Sequence, residues 1–141
     1  MPVVTVRLAA ENDAEILRQF NEEFNGVGDV TAESVRESLR TSSEIVGVVE
    51  VDGTPVGFCC GQITRSFCYR ESTAELTELY IREPYRRTGC ASALLRFMEA
   101  ICREMYHAES ICLLTGEDNL PARHLYESLG YTAEDEVLYT K

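Results

Sequence analysis

The segment that most constrains this chain is an arginine-rich loop joining a predicted β-strand to a long predicted helix. The strand is ELTELYI at 75–81, and apolar residues repeat at helical spacing over 91–106. A helix N-terminus presents unpaired backbone N–H groups and the positive end of the helix dipole, and glycine allows close approach of a ligand to the backbone. The segment therefore predicts an anion site, such as one for a pyrophosphate. Its key residues are Arg82, Arg86, Arg87 and Gly89.

Two phosphate-binding patterns are absent from this loop. The chain contains neither the dinucleotide fingerprint G-x-G-x-x-G nor the phosphate loop G-x-x-x-x-G-K-[ST]. Their absence disfavours nicotinamide chemistry and nucleotide hydrolysis. From the residues alone, an ordinary glycine turn carrying solvated arginines stays open as the alternative.

The rest of the chain contains more predicted strands than helices. An Asp52-Gly53 turn between two β-branched runs predicts a hairpin. Helices before, inside and after the strands predict an α/β or α+β fold with a mixed sheet, in a single domain spanning 1–141. The predicted strands are 3–9, 44–51, 55–64, 75–81, 110–115 and 136–141, and the predicted helices are 11–24, the segment starting at Thr31, 91–106 and 120–129.

The charge of the chain narrows its partners. Lys and Arg number 13 against 24 Asp and Glu, a net charge of −11. Such a field disfavours nucleic acid and anionic membranes as partners. The segment of residues 61–103 is the only one without a net negative charge, so we expect an anionic ligand to bind there. No apolar run reaches the ~18 residues of a membrane span and no secretory signal pattern is present, so we expect a cytoplasmic protein.

The six cysteines do not form a recognisable metal or disulfide pattern. There is no C-x-x-C pair and no histidine at metal-ligand spacing. We expect reduced thiols, most of them buried as small apolar residues, and no metal site.

Two motifs resemble one family. Arg86-x-x-Gly89-x-Ala91 resembles the acyl-CoA signature of the GNAT superfamily of N-acetyltransferases. The second family motif, N-x-x-A-x-x-x-Y-x-x-x-G-F, is matched about thirty residues later, so the two motifs follow each other in the order seen in the family. It is carried by Asn119, Ala122, Tyr126, Gly130 and Tyr131, where tyrosine replaces the usual phenylalanine.

The resemblance implies a fold and a co-substrate. The implied fold is a mixed, mostly antiparallel sheet of about six to seven strands flanked by four helices and splayed between the fourth and fifth strands. The implied co-substrate is acetyl-CoA. Its pantetheine would pair with the backbone of Tyr80 and Ile81, and Asn119 and Tyr126 would also contact it. Its pyrophosphate would lie on the loop residues Arg86, Arg87, Thr88, Gly89, Cys90, Ala91 and Ser92, with Cys90 at a variable position and no nucleophilic role.

The resemblance also implies catalytic residues. Tyr126 matches the tyrosine that many members place near the sulfur of CoA, which makes it the candidate general acid. Glu75 and Glu78 lie on the strand that often carries the base. Strand alternation puts them on opposite faces unless a bulge shifts the register. The six-residue offset of Glu75 from Ile81 favours Glu75, while Glu78 and a water relay stay open.

The acceptor is the least constrained element. In the family the first two helices shape its site, and here that region is rich in carboxylates between Glu11 and Glu37. An acidic rim favours a cationic small-molecule amine: a polyamine, an aminoglycoside-like sugar or a lysine-like compound. A protein lysine or N-terminal acetyltransferase and a non-catalytic acyl-CoA sensor are the alternatives. A homodimer through the last strand stays open.

Overall fold

A five-stranded sheet in the order β1-β2-β3-β4-β5 forms the centre of the computed structural model, which describes residues 1–141. Neighbouring strands are antiparallel except β4 and β5, which are parallel. The mixed sheet and its four helices confirm the predicted fold class. The strands are β1 Val4–Leu8, β2 Ile45–Val51, β3 Thr54–Thr64, β4 Ser72–Ile81 and β5 Ala108–Leu113, and the helices are α1 Ala14–Asn25, α2 Ala32–Thr41, α3 Cys90–Tyr106 and α4 Leu120–Ser128.

The sheet is covered on both faces. Helix α3 packs an apolar stripe, including Leu94, Leu95 and Met98, onto one face, and this contact forms the larger core cluster. Helix α1 packs Leu17 and Phe20 onto the opposite face, beside residues of β2, β3 and β4. The buried side chains of both helices lie along one face of each helix, which is the pattern expected of amphipathic surface helices.

Local sequence signals explain several boundaries. The predicted hairpin is confirmed: Asp52 and Gly53 both have positive φ, 50° and 82°, as a two-residue hairpin turn requires. Helix α2 begins after Thr31, whose hydroxyl accepts a hydrogen bond from the Ser34 N–H at 3.0 Å. The Ser34 hydroxyl in turn accepts from the Thr31 N–H, so serine completes the capping box in place of glutamate.

The predicted splay between the fourth and fifth strands is confirmed. β5 pairs with β4 only from Ser72 to Leu76. Beyond Leu76, the residues 77–81 of β4 have no partner on that side, while residues 78–81 remain paired with β3 on the other. A V-shaped opening therefore lies between the two strands, and its apex is at Leu76 and Leu113.

The predicted strand count is wrong. The sheet has five strands rather than six to seven, and residues 136–141 form no strand. Val137, Leu138 and Tyr139 are each more than 70% exposed. A strand is stabilised by ladder hydrogen bonds to a neighbour, and this segment makes none, so its β-prone composition does not suffice.

All six cysteines are free thiols. Four of them, Cys59, Cys60, Cys90 and Cys102, are buried, whereas Cys68 and Cys112 are exposed. No helix is long and apolar enough to cross a membrane.

Candidate active site

The opening between β4 and β5 is a cleft of about 720 Å³. One wall is the unpaired end of β4, and the other is formed by the chain after β5 together with α4. The N-terminus of α3 closes one end. Among the lining residues are Glu78, Tyr80, Ile81, Arg86, Arg87, Gly89, Ala91, Ser92, Asn119 and Tyr126.

The loop before α3 presents a row of free donors to this cleft. None of the backbone N–H groups from Arg87 to Ser92 donates to a backbone carbonyl. Arg87 and Gly89 have positive φ, 62° and 88°, which turns the chain sharply into the helix. Successive amides in such a turn form a nest that binds anions, and the helix dipole adds to it. This arrangement fits the pyrophosphate of CoA.

The three arginines of this region have different environments. Arg82 forms an ion pair with Glu23 of α1 at 2.8 Å and lies over the Phe20 ring. The Arg86 Nε donates to the Ile81 carbonyl at 2.8 Å. Arg87 makes no ion pair with the chain and lines the cleft. The charges of Arg86 and Arg87 are therefore both unpaired, and the Arg87 side chain has no hydrogen bond to the chain that would hold it away from a phosphate.

Tyr126 of α4 faces the cleft and is half-buried. Burial raises the pKa of its hydroxyl above the usual value near 10, so the phenol stays protonated at neutral pH. Its ring packs 6.2 Å from the ring of Tyr131, edge to face. The Tyr131 hydroxyl donates to Glu99 of α3 at 2.5 Å, which fixes α4 against α3.

A β-bulge in β4 decides where its two carboxylates lie. Cys60 pairs with Glu78 and the next residue, Gly61, pairs with Leu76, so Thr77 is the extra residue. Leu76 and Leu79 consequently pack on the same core although they are three residues apart. The shift puts Glu75 and Glu78 on one face of the sheet, the face towards α1.

A second pocket of about 370 Å³ lies on that face, between the sheet and helices α1 and α2. It is lined by two carboxylates, those of Glu44 and Glu78, and by no basic residue. Neither carboxylate takes part in an ion pair within the chain. Its other lining residues are Leu17, Asn21, Asn25, Val30, Ser34, Val35, Ser38, Leu39, Val46, Phe58 and Cys60.

Glu78 lines both cavities. An acyl group in the cleft and an amine in the second pocket would therefore meet at this carboxylate. Glu75 lines neither of the two; it lies further along β4, opposite Cys112 of β5.

The comparison with protein families agrees with this geometry. The model of the acetyltransferase (GNAT) family matches residues 14–131. The protein belongs to the GNAT family. A match of this extent covers α1 through α4, and with them both cavities.

The relatives of this GNAT protein differ in the acceptor that their names give. An N-alpha-acetyltransferase of Sulfurisphaera tokodaii is 32% identical over 101 residues, which cover 67% of this chain and 60% of that protein. An aminoglycoside acetyltransferase from an uncultured soil metagenomic sample has a similar fold, with a TM-score of 0.84 at 17% identity, covering 98% of this chain and 94% of that one. So does a ribosomal-protein-alanine N-acetyltransferase of Brucella melitensis, with a TM-score of 0.82 at 20% identity and coverage of 99% and 98%.

The structure brings most of the predicted site residues together. Besides Glu75, the residues that do not line the cleft are Thr88 and Cys90. The Thr88 hydroxyl donates to the Tyr85 carbonyl, and Cys90 is buried beneath the loop. Asn119 acts as the N-cap of α4, because its side-chain oxygen accepts from the Ala122 N–H at 3.3 Å. The Tyr80 ring is buried, and its hydroxyl donates to Glu23 at 2.8 Å.

Five of the eight carboxylates between Glu11 and Glu37 form ion pairs: Asp13 with Arg7, Glu15 and Glu22 with Arg18, Glu23 with Arg82, and Glu37 with Arg40. The unpaired carboxylates of the second pocket are instead Glu78 of β4 and Glu44 just before β2, and Glu44 was not predicted from the sequence. The i, i+3 and i, i+4 spacing of Glu15, Arg18 and Glu22 was a signal that these helix charges pair with each other.

Proposed function

We propose that this GNAT protein transfers an acetyl group from acetyl-CoA to a cationic primary amine by direct attack in a ternary complex. The observation that carries the proposal is the junction of the two cavities at Glu78. One cavity has a row of free backbone donors for an anion, and the other has two unpaired carboxylates for a cation. Substrates of opposite charge would thus approach a single point from two sides of β4.

In this proposal the cleft binds the acyl donor, acetyl-CoA. The N–H groups of residues 87–92 and the Arg87 guanidinium hold the pyrophosphate, and the unpaired end of β4 lies alongside the pantetheine. Acetyl-CoA supplies its acetyl group as an activated thioester. The bond formed is the C–N bond of the amide, and the bond broken is the C–S bond of the thioester.

Glu78 and Tyr126 move the protons. An amine with a reference pKa near 10.4 is protonated at neutral pH and must lose a proton before it attacks. Glu78 accepts that proton, directly or through water. Tyr126, kept protonated by its raised pKa, donates to the departing sulfur. The nitrogen loses two protons in all and the sulfur gains one, so one proton is released to solvent per turnover.

The second pocket sets the acceptor class. Its volume suits a small molecule, and its two carboxylates attract a cation and repel an acidic amino acid. The likeness to an aminoglycoside acetyltransferase supports a small-molecule amine. The 32% identical N-alpha-acetyltransferase favours a second candidate, the N-terminal amine of a peptide.

Two linked measurements test the proposal. Thermal unfolding with CoA, acetyl-CoA, NAD and ATP is expected to show stabilisation by the two CoA species alone. A ligand at a hundred times its dissociation constant stabilises by ~2.7 kcal/mol, which shifts the Tm of a domain this size by several degrees. Thiol release from acetyl-CoA across diamines, aminosugars and N-terminal peptides then identifies the acceptor. Stabilisation without turnover of any amine would contradict catalysis and favour a CoA-binding sensor.

A further inference from the structure

The strand register places the two carboxylates of the second pocket on either side of Cys60. Val46, Cys60 and Glu78 form a cross-strand row over β2, β3 and β4. Neighbouring strands are about 4.8 Å apart, so β2 and β4 are separated by roughly 10 Å at this row. Glu44 precedes Val46 by two residues and lines the same pocket. The reacting end of the pocket is therefore at Glu78, and Glu44 is the distal end.

The surface between the two carboxylates is mostly apolar. Cys60, only 7% exposed, lies between them, and Phe58 and Val46 continue the floor. Leu17 of α1 and Leu39 of α2 form the roof. Glu44 is half-buried and lines the pocket together with Cys60. Burial raises the pKa of the Cys60 thiol, and the nearby Glu44 carboxylate raises it further. The thiol thus stays neutral and behaves as part of the apolar surface.

This order of groups defines a complementary ligand. It needs a positive charge at each end and a short aliphatic chain between them. A free carboxylate on the ligand would face two unpaired carboxylates. The uncharged polar residues of the lining, Asn21, Asn25, Ser34 and Ser38, belong to the helices, so a hydroxyl group placed on the floor would lie against apolar side chains.

We infer that the acceptor is a short aliphatic diamine whose distal ammonium is bound by Glu44 while its other amine reacts beside Glu78. The inference rests on the proposed acetyl transfer and names its substrate class. It makes Glu44 the residue that determines specificity. No proton moves through Glu44, so its contribution is to binding and not to the chemical step.

Three compounds of equal chain length test the inference. 1,5-Diaminopentane carries both charges, 1-aminopentane lacks the distal ammonium, and L-lysine is the same diamine with one added carboxylate. A hydrogen bond to a charged group typically contributes enough for a roughly 10- to 100-fold effect. We expect kcat/KM for the diamine to exceed that of each other compound by this factor, mainly through a lower KM.

Variants assign the preference to one side chain. Glu44→Gln is expected to abolish the advantage of the diamine over the monoamine, raising KM for the diamine with little change in kcat. Glu33→Gln removes an equal charge from the exposed surface of α2, outside the pocket, and should retain the advantage. The Tm and the CoA-induced stabilisation of each variant show whether it is folded and binds CoA. Glu44→Asp keeps the negative charge, and it is expected to recover part of the preference for the diamine over the monoamine.

The outcomes separate this inference from the proposed function. A diamine preference that survives Glu44→Gln, or equal turnover of all three compounds, would overturn the role of Glu44. Turnover of peptides or aminosugars but not of the diamine would overturn the substrate class and leave acetyl transfer standing. Absence of CoA binding and of turnover with every amine would overturn the proposed function itself.

Discussion

The two cavities beside β4 differ in the kind of group that each offers a ligand. The cleft presents backbone: the free N–H groups of residues 87–92 and the unpaired edge of residues 77–81. The second pocket presents side chains, and its two charges come from Glu78 of β4 and from Glu44 just before β2. A backbone site depends on local conformation, which a short motif can encode. A side-chain site depends on strand register, and no local motif specifies that.

Removal of the Glu78 carboxylate is expected to have the largest effect. Glu78→Gln should lower kcat by roughly 10²–10³-fold, because the attacking amine then lacks a general base. CoA-induced stabilisation should be unchanged. Steady-state thiol release measures kcat, and thermal unfolding measures the stabilisation by CoA.

Glu75→Gln is the matched control on the same strand and the same face. We expect a change of less than about threefold in kcat, since Glu75 lines neither cavity. A large loss for Glu75→Gln together with a small one for Glu78→Gln would reverse the assignment.

Tyr126→Phe should lower kcat about tenfold. The effect is smaller because a thiol has a pKa near 8.5, so the thiolate is already a fair leaving group. Burial raises the pKa of Tyr126 above its usual value, so the phenol stays protonated at neutral and mildly alkaline pH. The wild-type rate should therefore show no decline from Tyr126 deprotonation in that range. An unaltered rate in Tyr126→Phe would remove the acid role.

Gly89→Ala is expected to weaken CoA binding about tenfold. Alanine at a φ of 88° is strained by roughly 1–2 kcal/mol, and relief of that strain displaces the free N–H groups. Gly53→Ala is the control, because Gly53 has a φ of 82°, lies in the remote β2–β3 turn and, like Gly89, has open space at its Cβ position. Both variants should lose similar stability, but only Gly89→Ala should lose CoA affinity in calorimetric titration. Equal affinities would contradict a backbone site.

The smallest expected effect is on the stability of the fold and comes from the ion pair between Arg7 and Asp13, just before α1. Arg7 holds the pKa of the buried Asp13 below its usual value through hydrogen bonds of 2.7 and 2.9 Å. A lowered folded-state pKa stabilises the fold above the unfolded value near 3.9, and the contribution is lost as pH falls through the folded value. Asp13→Asn should cost about 1–2 kcal/mol at pH 7, and the difference from wild type should shrink below pH 4.

Urea unfolding at several pH values measures this difference. Glu11→Gln, which changes an exposed carboxylate of the same turn that has no ion pair, is expected to stay within about 0.5 kcal/mol of wild type. A cost for Asp13→Asn that is the same at pH 3 and pH 7 would contradict the ionic account.

The same contrast explains how much the sequence could predict. The loop at Gly89, the Asp52-Gly53 hairpin and the helix beginning near Cys90 are local features, and the structure confirms the hairpin and the helix. The bulge at Thr77 arises from pairing between β3 and β4, so the sequence pointed to it only through the family resemblance.

Two features of the chain required information that the sequence pattern lacks. Glu44 lies just before β2, and it enters the second pocket only because β2 pairs with β3, with Val46 opposite Cys60. The residues 136–141 have a strand-like composition, but composition does not supply a neighbouring strand with which to form a ladder. In both cases the missing information is a long-range contact.

In the proposed ternary complex, CoA and the amine bind on different sides of β4 and meet at Glu78. Amide hydrogen exchange with CoA and with 1,5-diaminopentane, added separately, tests this arrangement. We predict that CoA slows exchange at residues 87–92, whose N–H groups are free without it, and that the diamine slows exchange in α2 and around Glu44 but not in that loop. Protection of the same segment by both ligands, or no protection of residues 87–92 by CoA, would contradict the account.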